Sequence, residues 1–183
     1  MTTDSKATLR ARARAARRDL VARRDLQADA GRFATLVLAL IAGHPDALDG
    51  GVCRVAAYVA YGTEPPTHLL VAALEAAGHD VVLPRLLDDR SLDWTRDGLA
   101  LGASAITTAA VIVTPGLAVD RQRTRLGQGG GSYDRALLRR RPDALVVTLL
   151  HDGELSETPL PRDRHDQPVD GVVTPDAGWL DLR

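Results

Sequence analysis

The chain has 183 residues, 45% hydrophobic and 26% charged, the size and balance of a single soluble domain with a real core. Twenty-three basic against twenty-four acidic residues leave a formal charge of -1, which excludes a broadly cationic nucleic-acid binder but not a local basic patch. One cysteine, Cys53, permits no internal disulfide and fits a reducing compartment, and the longest apolar stretch, Ala34 to Ala42, is far short of the ~20 residues that span a bilayer, so a cytoplasmic chain without membrane contact is expected.

The first thirty residues are rich in Ala and Arg. Leu9, Ala13, Ala16 and Leu20 recur at helical spacing and predict a helix docked by one narrow apolar stripe, with Arg10, Arg14 and Arg17 on an adjacent face. An Arg-rich amphipathic start also imitates a transit peptide, but Asp4, Asp19, Asp25 and Asp29 interrupt it, and a structural helix is the preferred reading. A second helix is expected from Leu26 to Ala42, stopped by Gly43 and Pro45. Short apolar runs then alternate with helices. Strands are expected over Val52–Ala60, Asp80–Leu83 (closed by Pro84), more weakly Leu92–Thr95, then Val111–Val113 (closed by Pro115), Ala144–Leu150 and Val169–Val173. Helices are expected over Pro66–Ala77 and Tyr133–Arg140. Continuous apolar strands separated by helices indicate an α/β fold: one three-layer α/β/α sandwich over residues 1–183, with a largely parallel sheet.

The most informative segment runs from Thr114 to Arg135. A strand ends at Pro115, glycines stand at 116, 127, 129, 130 and 131, and a helix begins near Tyr133. Glycines ahead of a helix let backbone amides approach a phosphate, the helix start adds partial positive charge, and Arg125 supplies a fork of donors. A P-loop would need a lysine that is absent, and the dinucleotide fingerprint would need glycine where Ser132 stands. A plain surface turn is the competing reading.

Asp134 can hold Mg²⁺ against nucleotide phosphates or serve as a charge at a helix start, with Asp120 as a rival ligand. Glu64, between a strand end and a helix, can accept hydrogen bonds from a ring bearing N–H groups or cap the helix. His165-Asp166 reads as a loop hydrogen bond before a metal site, and His151-Asp152 is a second copy of the same dipeptide. Cys53 reads as core. The six aromatics, Phe33, Tyr58, Tyr61, Trp94, Tyr133 and Trp179, are too few for a base-stacking platform. Lys6, the only lysine, stands out in a chain that otherwise uses arginine.

Several separated segments together resemble the 5-formyltetrahydrofolate cyclo-ligases: Lys6-Ala-Thr-Leu-Arg10, Glu64 with Thr67, Leu83-Pro84, Pro115 to Asp120, Arg125 to Asp134, and Pro161 to Asp170. The resemblance implies a Rossmann-like layered fold and an ATP- and Mg²⁺-dependent ring closure of 5-formyltetrahydrofolate, with or without a polyglutamate tail, in a monomer. It implies ATP contacts from Lys6, Arg10 and the segment Arg125, Leu126, Gly127, Gln128, Gly129, Gly130, Gly131, Ser132 and Tyr133. Arg125 and Tyr133 would serve catalysis. Val59, Glu64, Gln128, Gly129 and Gly130 would meet the folate, and Asp134 and Asp166 the magnesium; no covalent nucleophile is implied. Two departures stand out: Ser132 replaces a common Tyr, and only sixteen residues separate Trp94 from Val111, without the Gly-x-x-Glu-Pro element usual there. A sugar-phosphate isomerase or CoA-transferase on a related fold is the rival enzyme class, and a nucleic-acid-binding Arg helix (Arg10, Arg14, Arg17, Arg18) the non-enzymatic one.

Overall fold

A computed structural model describes residues 5–44 and 51–183; Asp4 and Pro45, used above, lie outside them. Helix α1 (Lys6–Val21) starts where the Ser5 hydroxyl accepts the Thr8 N–H, and α2 (Leu26–Ala42) where the Asp25 carboxylate accepts those of Gln27 and Ala28. Strand β1 (Arg54–Ala56) leads to α3 (His68–Ala76). Then come β2 (Asp80–Leu86), β3 (Leu92–Arg96), β4 (Leu99–Ala100), a 3₁₀ turn over Ala103–Thr108, and β5 (Val111–Pro115). A hairpin of β6 (Ala118–Asp120) and β7 (Arg125–Leu126) precedes α4 (Ser132–Leu137), β8 (Leu145–Leu149), β9 (Leu155–Ser156), β10 (Gly171–Thr174) and β11 (Gly178–Asp181).

The main sheet has the order β11-β10-β8-β5-β1-β2-β3-β4. Its centre, from β10 to β2, is parallel, and both edges are antiparallel. A small sheet, β7-β6-β9, stands beside it. Side chains divide by strand parity. Val55, Val111, Val113 and Val147 pack with Phe33, Val37 and Ile41 of α2 and Leu70 and Leu74 of α3. Ala56, Ile112, Val146 and Val172 pack with Ile106 of the 3₁₀ turn and Ala136 and Leu137 of α4. The continuous apolar runs of the central strands are therefore explained by helical cover on both faces. Among the described residues no helix is long and apolar enough to cross a membrane.

Several boundaries differ from expectation for local reasons. The first strand ends at Ala56, not Ala60, because the Thr67 hydroxyl takes over the chain beyond it, donating to the Tyr58 carbonyl and accepting the Ala60 N–H. Helix α3 accordingly starts at His68, two residues after Pro66. Pro84 does not close β2. It lies opposite Trp94, whose carbonyl turns to the Leu101 N–H on the other side, so no N–H is required of the proline. Helix α4 ends at Leu137, short of Arg140, and the edge strands β4 and β11 are too short to give a pattern. In α1 the expected stripe is only partly covered and Ala16 is exposed; the one buried residue is Arg17.

Candidate functional site

Ligands of open α/β sheets bind beyond the carboxyl ends of the strands. Here the chain leaving β1 forms the turn around Glu64, and the chain leaving β5 forms the β6–β7 hairpin and the glycine segment. Helix α1 lies across that segment: Arg10 Nε donates to the Gly127 carbonyl at 2.9 Å, and Arg14 donates to both the side chain and the backbone oxygen of Gln128. Arg10 and Arg14 of this face thus point at the glycine segment. Gly129 favours glycine because its φ is +109°, and it lies against the Arg10 guanidinium. At Gly127 a Cβ would come within 2.9 Å of Arg125 Nη1.

The result is a cavity of about 790 Å³. The segment Arg125 to Asp134 lines it, as do Lys6, Arg10, Val59, Glu64 and Asp166, so every residue that the family resemblance implies for the site borders one space, whereas Asp120 does not. Its lining is of two kinds. Arg10 donates only to a carbonyl oxygen and, just outside the cavity, Arg14 only to oxygens of Gln128, with no carboxylate bonded to either among the described residues. Val59, Tyr61, Leu86 and Leu138 also line it, four of the seven large apolar side chains exposed on the described surface. Apolar surface gathered at a cavity mouth is the mark of a ligand with a flat hydrophobic part.

Arg125 belongs to β7, not to a loop, and its guanidinium is almost wholly buried. It donates to the Pro115 carbonyl at 3.2 Å and to Asp134 Oδ1 at 3.1 Å and lies 5.6 Å from the centre of the Tyr133 ring. Its Nε and the Tyr133 hydroxyl are buried with no partner among the described residues, two neighbouring donors of the kind a ligand satisfies. Burial pushes the Tyr133 phenol up, against the pull of Arg125, so it stays protonated.

Glu64 does not cap α3. Its Oε2 accepts the Tyr61 N–H at 3.1 Å, closing its own turn, and Oε1 lies 3.5 Å from Gln128 Nε2. Asp120 is no ligand either: buried, it accepts the N–H groups of Gln122, Thr124 and Leu160 and pins the hairpin turn. Cys53 packs against the core, with burial raising its thiol.

Lys6 bridges the closing segment. It binds Asp163 at 2.7 Å and also Asp166. Burial alone would raise Asp166; the Lys6 ammonium and the Asp163 N–H outweigh it and hold the carboxyl below its usual value. Asp163, His165 and Asp166 offer atoms within 4.8 Å of one another, a group that does not include Asp134. Asp134 accepts Arg125 and the Gln167 N–H on Oδ1, and Oδ2 carries no hydrogen bond among the described residues. A carboxylate with a free oxygen beside the glycine segment has the chemistry of a ligand for a hard cation.

The model of the 5-formyltetrahydrofolate cyclo-ligase family matches residues 2–175. The chain belongs to the 5-formyltetrahydrofolate cyclo-ligase family. It is 35% identical over 150 residues to the cyclo-ligase of Mycolicibacterium smegmatis, covering 70% of this chain and 77% of that one. Its fold is that of two solved 5,10-methenyltetrahydrofolate synthetases. The Mycoplasma pneumoniae protein superposes with a TM-score of 0.74 at 16% identity, covering 92% of this chain and 98% of that one. The Aquifex aeolicus protein gives 0.67 at 24%, covering 97% and 93%. The cyclo-ligase cavity also has residues that sequence reasoning passed over. Asp163, Leu86 and Leu138 border it, and Arg14 holds Gln128 from outside. The helical spacing of Arg10 and Arg14 was the one signal for the latter.

Proposed function

We propose that this cyclo-ligase closes 5-formyltetrahydrofolate to 5,10-methenyltetrahydrofolate at the expense of ATP, which becomes ADP and phosphate. The observation that carries the reading is the pairing, in one cavity, of a cationic glycine segment with an apolar wall and Glu64. In the reaction the formyl oxygen bonds to the γ-phosphorus as the bond to the β-phosphate oxygen breaks. N10 then attacks the activated carbon and loses its proton, and the carbon–oxygen bond breaks to release phosphate. Nothing covalent is asked of the protein; it positions groups and offsets charge.

Arg125, with its free Nε, and the backbone of Gly127 to Gly131 would cradle the phosphates, with Arg10 and Lys6 adding charge from α1. The protonated Tyr133 hydroxyl would donate to a reacting oxygen. Glu64 and Gln128 would hold the N–H edge of the pterin against Val59. Asp134 and Asp166 would hold Mg²⁺, which when bound neutralises phosphate charge. ADP measured after adding 5-formyltetrahydrofolate to protein and MgATP tests the assignment: release equal to folate consumed is expected, and folate-independent or absent ADP release would overturn it.

A further inference from the structure

The segment from Tyr58 to Thr67 carries Glu64 and is held mainly by its own side chains. Thr67 bonds Tyr58 and Ala60, Tyr58 donates from its hydroxyl to the Pro65 carbonyl at 2.9 Å, and Glu64 closes on Tyr61. Besides the long contact of Gln128 Nε2 with Glu64 Oε1, a bond from far along the chain reaches the backbone of the turn: His151 Nε2 lies 3.0 Å from the Thr63 carbonyl, next to Glu64. His151 follows β8 and is completely buried. A carbonyl can only accept, so the proton sits on Nε2, and Nδ1 is left without a partner. Burial lowers the imidazole's pKa, opposed by the Thr63 carbonyl and Glu154, which keeps the ring neutral.

His151 is itself fixed. Its N–H donates to Glu154 Oε2 at 2.8 Å, and Glu154 clamps Arg17 of α1 through both oxygens, at 2.6 and 2.7 Å. Arg17 in turn donates to the Gly116 carbonyl at 2.5 Å, where the chain leaves β5. One tight turn, His151 to Glu154, therefore braces the helix that carries Lys6 and Arg10 and, through its histidine, the turn that carries Glu64.

The geometry points to His151 as a positioning residue for the folate side of the site, its Nε2–H on the Thr63 carbonyl setting the height of Glu64 over the cavity. The inference rests on the reading of Glu64 as a folate contact. A lost hydrogen bond behind that contact weakens folate selectively, because the nucleotide side is braced by Arg17 and Glu154, which a change at residue 151 leaves in place.

The test is steady-state kinetics with both substrates. His151→Leu fills the space without a donor and should raise the KM for 5-formyltetrahydrofolate about five- to tenfold. The KM for ATP should stay within about twofold. His151→Gln, which places an amide N–H where Nε2 stood, should restore it, whereas the shorter His151→Asn should not. Combined with Glu64→Gln, His151→Leu should add less than about twofold, since both act on one contact. Equal rises in both KM values, or equal values for the Gln and Asn variants, would overturn the inference. The Gln–Asn pair decides the matter even should the Leu variant fail to fold. If Glu64→Gln leaves the folate KM unchanged, the Glu64 reading itself fails and this inference with it; if Glu64→Gln weakens folate while His151 variants do not, only the inference falls.

Discussion

Arg125 and Asp134 flank the glycine segment and meet across it, Nη2 standing 3.1 Å from Oδ1. The eight residues between the two ends of that contact, Leu126 to Tyr133, are thereby closed into a loop that lines the cavity. The contact also presets a cation and an anion side by side, the pair a magnesium-bound phosphate needs.

Replacing Arg125 tests that arrangement. Arg125→Ala should lower kcat by about 10²–10³-fold with the fold retained, since it removes charge aimed at a phosphoryl group in transit. Arg125→Lys should recover little, because an ammonium cannot serve Pro115, Asp134 and a ligand from one plane. Turnover within about threefold of the parent in either variant would place phosphoryl transfer elsewhere.

Glu64→Gln keeps the shape of the turn and removes its charge. The expected outcome is a folate KM raised about tenfold or more with the ATP KM little changed, as for a charge-assisted hydrogen bond to a ring N–H. Parallel changes in both constants would mean that Glu64 merely shapes its turn, through the Tyr61 N–H it accepts.

The Lys6–Asp166 pair gives a pH dependence with a definite sign. Asp166 is held below its usual 3.8 in the folded chain. Between that depressed value and 3.8 the unfolded chain binds more protons, so the contribution to stability is complete above 3.8 and is lost as pH falls through the folded value. Melting temperatures of the parent and Lys6→Met should differ by a constant amount above about pH 5 and converge on acidification. A difference that stays constant down to about pH 3 would show that the pair adds nothing through Asp166.

Arg17 and Glu154 form a buried ion pair, 1% and 8% exposed in their side chains. Glu154→Gln leaves the guanidinium charge uncompensated and should cost about 3–5 kcal/mol. For a chain of this size that is a fall of about 6–20 °C in melting temperature. Replacing both residues, Arg17→Met with Glu154→Leu, should cost less than Glu154→Gln alone, because no charge is then stranded. The opposite order, measured by denaturant unfolding, would mean that the bond to the Gly116 carbonyl dominates.

The parts of this molecule legible from sequence are those in which one residue type answers one physical demand. Val111 to Val113 and Leu145 to Val147 are apolar at every position because both faces of the sheet are covered, and Gly129 and Gly131 of the glycine segment stand at positive φ, where a side chain would strain. Less legible are the features made by distant partners. Nothing near Arg17 in sequence announces that Glu154 will bury it, and Pro84 reads as a strand end because the turned-away carbonyl of Trp94 cannot be seen. The apolar side chains of the cavity come from three segments, Val59 and Tyr61 from one and Leu86 and Leu138 from two others, each ordinary by itself. In sequence Glu64 suits a helix cap and a ring contact equally; in the fold Thr67, not Glu64, precedes α3.

The most direct measurement is absorbance in the methenyl-folate band with purified protein, 5-formyltetrahydrofolate, ATP and Mg²⁺. The account predicts a rise that needs all four components and that Arg125→Ala abolishes. No rise from folded protein shown to bind both substrates would contradict it.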